Sequence, residues 1–211
     1  MKAHTFETQT TITPEKALEI LKEGNDRFVH NLKANRDLLS QVNDTREGQW
    51  PFAVVLSCID SRTSAELIFD QGLGDVFSIR IAGNFFNQDI LGSIEFGCNV
   101  AGSKLIVVLG HTNCVALEGG LDAAKIEGLG MDNLNHLIDH FDPIIKTIIN
   151  DGEERTSANA DLLERLNHHN VKNAIDDIRK QSSKLRKMEE DGKIKIVGAN
   201  YDVETGVVNW L

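Results

Sequence analysis

Five residues in two short clusters carry the chemical potential of this chain: Cys58, Asp60 and Arg62, then His111 and Cys114. Each cluster follows an apolar run, Phe52 to Leu56 before the first and Leu105 to Leu109 before the second. If both runs are strands of one parallel sheet, both clusters emerge at its carboxyl edge, where open α/β sheets place their ligand sites. Two thiolates and one imidazole meeting there form a Cys2His set. Catalytic zinc keeps three protein ligands and leaves the fourth position to water, whereas structural zinc is usually closed by four. The expectation is therefore one Zn2+ per chain, held by Cys58, His111 and Cys114. The alternatives are a redox thiol pair, which usually sits in a Cys-x-x-Cys turn absent here, and buried structural cysteines.

The elements that must position these residues can be read from periodicity. A first helix starts after Thr13 as N-cap with Pro14 in its first turn, and a polar stretch, Lys33 to Gly48, leads to the first strand. Thr63-x-x-Glu66 has the form of a capping box opening a short helix. Val76 to Ile81 is a second strand, Asn84 to Ala101 a helix and Lys104 to Leu109 a third strand. Met131 to Asn150 is strongly helical, with Pro143 marking a kink or break. Asp161 to Met188 is a long helical stretch. Lys193 to Gly198 and Val207 to Trp210 then make a hairpin around the Asp202–Gly206 turn. Alternation of strands and helices implies an α/β fold with a mainly parallel central sheet flanked by helices and an antiparallel edge at the C-terminus. One domain over 1–211 is expected, with a helical arm at about 13–48.

Composition narrows the function classes. A formal charge of −10 argues against nucleic acid as a partner. No apolar stretch approaches a membrane span, and the polar start, Met1 to Thr13, lacks the core of a secretory signal. With only three cysteines, a reducing, cytoplasmic setting is expected. Cys98 falls on an apolar helical stripe with Ile90, Leu91 and Ile94 and reads as core. Gly72-x-Gly74 precedes a strand and lacks a third glycine, so it is no dinucleotide fingerprint. His136 and His140 fall off their helix's apolar stripe and, like His168 and His169, are expected on the surface.

The two clusters together, Cys-x-Asp-x-Arg and His-x-x-Cys, resemble the signature of the β-class carbonic anhydrases. Further similar segments are Glu66 to Asp75, Ala82-Gly83-Asn84, Leu91 to Phe96 and Val197-Gly198-Ala199-x-Tyr201-Asp202. The resemblance implies a zinc enzyme that hydrates CO2 reversibly to bicarbonate, assembled as a homodimer or tetramer with the active site at the dimer interface. It implies that Arg62 clamps Asp60, which orients the attacking hydroxide or, in a closed state, becomes a fourth zinc ligand. It also implies that Gln49 donates to a substrate oxygen and that Phe77, Ala82 and Phe96 line the substrate pocket. One position departs from the pattern. The family usually has Gly after the second cysteine, and this chain has Val115, which would narrow the pocket and resist a positive φ. Two other readings stand beside CO2 hydration: hydrolysis of COS or CS2 on the same fold, and a zinc-stabilised protein with weakened or lost catalysis.

Overall fold

The computed structural model describes residues 2–211. Its centre is a pair of strands whose residues are all buried, β1 (Ala53–Ser57) and β3 (Leu105–His111). Continuous Val/Leu/Ile runs of this kind suit strands covered on both faces. Around them lie β2 (Val76–Arg80), β4 (Lys195–Tyr201) and β5 (Val208–Trp210), in the order β2-β1-β3-β4-β5. The first three pairings are parallel and the last is antiparallel, so the expected mainly parallel sheet with an antiparallel C-terminal edge is what forms. β3 runs two residues further than its apolar stretch, which makes His111 the last residue of a strand rather than part of a loop.

Two helices precede the sheet's first strand where the sequence reading had none or only polar chain. α1 (Phe6–Thr11) is held by a reciprocal cap between Thr5 and Thr8, and α3 (Leu38–Thr45) by Asp37. Between them α2 (Pro14–Val29) is capped by Thr13 as expected. α4 (Ala65–Ile68) does not use the capping box: its N-cap is Ser64, and Thr63 instead donates its hydroxyl to the carbonyls of Cys58 and Asp60. Glu66 accepts from the Ser78 hydroxyl on β2. Neighbouring demands of the loop after β1 override the local pattern.

The segment read as one helix from Asn84 divides. A 3-10 turn at Ala82–Asn84 comes first, then α5 (Gln88–Glu95) capped by Asn87, then a π-helical turn at Phe96–Val100. After β3 come α6 (Val115–Leu121) and α7 (Ala123–Glu127), neither legible beforehand. The next stretch breaks before Pro143 into α8 (Asp132–Asp139) and α9 (Asp142–Ile148). The long helical stretch is two helices, α10 (Ala160–Gln181) and α11 (Ser183–Glu190), because Ser182 leaves helical geometry and caps the second with its hydroxyl.

Helices cover both faces of the sheet. Ala17 and Leu21 of α2 and Ile68 of α4 pack with Val55, Val107 and Leu109 on one side. On the other, Leu91 and Ile94 of α5 and Val171, Ile175 and Ile178 of α10 pack with Val54, Leu56 and Val108, and Cys98 joins them as a core residue. A third cluster, including Leu117, Phe141, Ile145 and Leu162, sits over the carboxyl edge and encloses Cys58 and Cys114. At the opposite end of α2, Arg27 and Arg36 both pair with the buried Asp70, tying the N-terminal helices to the turn after α4.

Candidate metal centre

Strand register creates the site. Ser57 pairs with Leu109, so Cys58, one residue past β1, stands beside the end of β3 that carries His111. Cys114 follows a short turn and is the N-cap of α6. The ligand atoms of Cys58, His111 and Cys114 all lie within 4.8 Å of one another, and the three residues are 4%, 1% and 2% exposed. His111 Nδ1 lies 2.8 Å from the Thr112 carbonyl, so this nitrogen carries the proton and donates. Nε2 is then an acceptor, and it is buried with no hydrogen-bond partner among the described residues. A buried lone pair beside two sulfurs is costly unless something coordinates it. Zinc fits that donor set, with the Thr112 carbonyl fixing the imidazole's tautomer.

The sulfurs are poised electrostatically. A hydrogen bond with Cys114 is the main cause that lowers the pKa of Cys58 to about 4, against the opposing effect of burial. The same bond, with burial, pushes Cys114 up. The two sulfurs thus share a hydrogen bond in which Cys58 has the greater thiolate character, and a dication between them would take the place of its proton. Gly83 N–H adds a further donor to Cys58 Sγ at 3.3 Å.

Asp60 is held by one arginine at three points. Its Oδ1 accepts from the Arg62 backbone N–H and from Nε, both at 2.9 Å, and its Oδ2 accepts from the guanidinium at 2.7 Å. Arg62 also reaches the Asn113 carbonyl beside the second ligand cluster, at 3.2 Å. The fork of Arg62 is the largest cause holding the Asp60 carboxyl down, at about 2, so it is ionised throughout the neutral range. With both oxygens on Arg62, Asp60 stands outside the grouped ligand atoms.

The residues assigned to the substrate pocket separate into two places. Ala82 adjoins Gly83 and Val115 follows Cys114, so both sit at the ligand edge. Val115 is the first residue of α6, has no positive φ and is 71% exposed, so no backbone strain attends the missing glycine. Gln49 lies before β1, at the amino edge, in a cavity with Thr45, Glu47 and Gly74. Phe77 is the second residue of β2, paired with Val54, which puts it about 13 Å from Cys58 at the rise of a strand. Its ring packs edge-on against the exposed Phe96. Within one chain, then, Gln49, Phe77 and Phe96 are not brought to the cysteines. Among the histidines set aside as surface, His140 is only partly so: it stacks on Phe85 at 4.1 Å and meets His136 edge-on.

Three contributors escaped sequence reading. Arg80, at the end of β2, donates Nε to the Cys58 carbonyl at 3.0 Å and also reaches the Asp60 carbonyl, fixing the ligand loop. Gly83, at φ +73, supplies the N–H to Cys58, and Asn170 of α10 donates to the Gly83 carbonyl at 2.8 Å. A strand-terminal Arg beside Ala82-Gly83-Asn84 was the available signal. Asn170 had none, because a single polar residue on a polar-rich helix is unremarkable by type.

Comparison with known proteins agrees with the geometry. The family model described as carbonic anhydrase matches residues 53–208. Carbonic anhydrase 2 of Mycobacterium tuberculosis is 34% identical over 197 residues, which cover 92% of this chain and 90% of that protein. The solved β-carbonic anhydrase of Coccomyxa superposes with a TM-score of 0.68 at 22% identity, over 92% of this chain and 84% of the other. A tetrameric β-carbonic anhydrase of Sordaria macrospora gives 0.67 at 20% identity, over 93% and 95%. With its ligand set, fold and sequence in agreement, the chain belongs to the β-class carbonic anhydrase family of enzymes.

Proposed function

We propose that this chain is a single-domain zinc enzyme that interconverts CO2 and bicarbonate. The observation that carries the reading is a three-ligand Cys58/His111/Cys114 set beside a carboxylate fully held by one arginine. A purely structural zinc requires neither Asp60 nor Arg62. Zinc, when bound, supplies a water acidic enough to ionise near neutral pH. Asp60, kept ionised by Arg62, would accept a hydrogen bond from the attacking hydroxide, so that the hydroxide's own lone pair faces the CO2 carbon. Arg62 holds that acceptor in one orientation, and Gln49 of a second copy of the chain donates to a substrate oxygen. The arrangement of Asp60 on Arg62 supports the open state, with Asp60 as orienting group rather than fourth ligand.

Assembly as a homodimer or tetramer, with the site at the dimer interface, belongs to the same reading. Ile59, Leu67, Phe96 and Val115 expose large apolar surfaces around the ligand loop and α5, which favours a covering partner. The separation of Gln49, Phe77 and Phe96 from their own cysteines supports a pocket to which a second chain contributes. Among the described residues no helix is long and apolar enough to cross a membrane. A cytoplasmic location is part of the proposal, in keeping with three free cysteines.

Parallel stopped-flow assays with CO2 and COS on zinc-loaded protein test the substrate. CO2 hydration well above the buffer rate is expected, and turnover of COS alone would overturn the assignment. Val115 offers a second measurement. Its isopropyl group stands free beside Cys114, where three added carbons can displace a three-atom substrate. A misplacement of about 1 Å can cost on the order of 100-fold in rate. Val115→Gly is therefore expected to raise CO2 hydration at equal zinc occupancy, and an equal or lower rate would show that Val115 is not the brake.

A further inference from the structure

Cys58 Sγ accepts a hydrogen bond from Gly83 N–H, at 3.3 Å. That donor is aimed by a turn that glycine alone adopts readily, with Gly83 at φ +73. Two neighbours hold the turn in place. On one side Phe141 is so close that a Cβ on Gly83 would stand 2.3 Å from its ring. On the other, Asn170 Nδ2 donates to the Gly83 carbonyl at 2.8 Å. Asn170 is 2% exposed, on the same helix as the core residues Val171, Ala174, Ile175 and Ile178. Burying a carboxamide in such a place carries a desolvation cost that one hydrogen bond offsets only in part. An apolar side chain of similar volume would avoid that cost but leave the Gly83 carbonyl without its donor.

We infer that Asn170 is a positioning residue for the metal centre, acting on the Cys58 sulfur through Gly83. The inference rests on the zinc reading above. An N–H donated to a ligating thiolate withdraws negative charge from the sulfur, so less is passed to the metal. Two thiolates already neutralise the charge of Zn2+, and every such donor helps to keep the metal a Lewis acid. Asn170 fixes the Gly83 carbonyl, the carbonyl fixes the peptide plane that follows Gly83, and the turn then holds its N–H on Cys58.

The test is Asn170→Asp, which keeps the volume and removes the donor, with Asn170→Ala as a second variant should the carboxylate prevent folding. Ile178→Val, buried on the same helix, serves as a control for stability alone. Each protein is loaded with Co2+ and its thiolate-to-cobalt charge-transfer band recorded beside its melting temperature, and CO2 hydration is measured on the zinc forms. In the Asn170 variants the band is expected at longer wavelength, because a sulfur relieved of a donor gives up an electron more easily. Hydration at full zinc occupancy is expected to fall about 10-fold, within the usual effect of removing an outer-shell partner. Ile178→Val should lower the melting temperature and leave the band in place. Asn170 variants that melt early but keep the parent band would overturn the inference and make Asn170 a structural residue. A parent that takes up neither metal would instead overturn the zinc reading itself.

Discussion

Cys58→Ala is expected to lose zinc, CO2 hydration and a large part of its thermal stability together. The side chain is buried between Cys114 and Gly83, and its removal leaves His111 Nε2 and one thiol facing a gap. Zinc stabilises only the state in which its ligands are assembled, here the folded one. At a free metal concentration of roughly a thousand times the dissociation constant, that linkage is worth about 4 kcal/mol. The parent's melting temperature should accordingly rise with added zinc and fall with a chelator, while the variant's should respond to neither. Full zinc content in purified Cys58→Ala protein would exclude the ligand assignment.

The second large effect is expected at Asp60 and Arg62, which behave as one unit. Two of the contacts to the Asp60 carboxylate come from the Arg62 side chain and one from its backbone N–H, so Asp60→Asn removes the ionised acceptor and Arg62→Ala the fork that fixes its orientation. Loss of a fixed electrostatic partner of this kind costs on the order of 100- to 1000-fold in turnover. Asp60→Asn and Arg62→Ala should each show a loss of that size at unchanged zinc content. The double variant should be little worse than the poorer single one, because members of one unit are not additive. Multiplicative losses would mean that the two residues act separately. Arg62→Ala should also release the carboxylate toward the metal, visible as a change in the cobalt spectrum absent from Asp60→Asn.

How far the sequence foretold the molecule depended on the range of the interactions involved. The three candidate ligands, with Asp60 and Arg62, were legible because each cluster directly follows an apolar run, and parallel pairing of two such runs leaves little freedom in where their ends go. The sheet was equally legible, since β1 and β3 owe their burial to their own composition. Helix boundaries fared worse where a capping residue had a stronger engagement elsewhere. Thr63 was read as a cap, yet its hydroxyl serves the carbonyls of Cys58 and Asp60. Ser182 divides a helix that periodicity made continuous, because its hydroxyl caps the next one and binds Glu95. Val115 was expected to resist a glycine-like backbone, but as the first residue of α6 it meets no such demand. Arg80, Gly83 and Asn170 act across 20 or more residues of chain, through contacts that only the folded sheet and α10 create.

The register that sets Cys58 beside His111 also has a consequence for the order of events expected during folding. The two ligands are 53 positions apart, and the intervening chain includes all of β2 and α5. Joining such distant segments is an entropic barrier that must be crossed before their contacts yield any stabilisation. A freshly made chain presents no assembled chelate, only separate thiols and an imidazole. On the zinc reading, metal capture would be a late step that locks a sheet already paired. Bound zinc would act as a cross-link closing that long loop, and unfolding would have to release the ion or carry it along. Zinc should therefore slow unfolding far more than it speeds folding, which makes the holoprotein's persistence a matter of kinetics as well as of equilibrium.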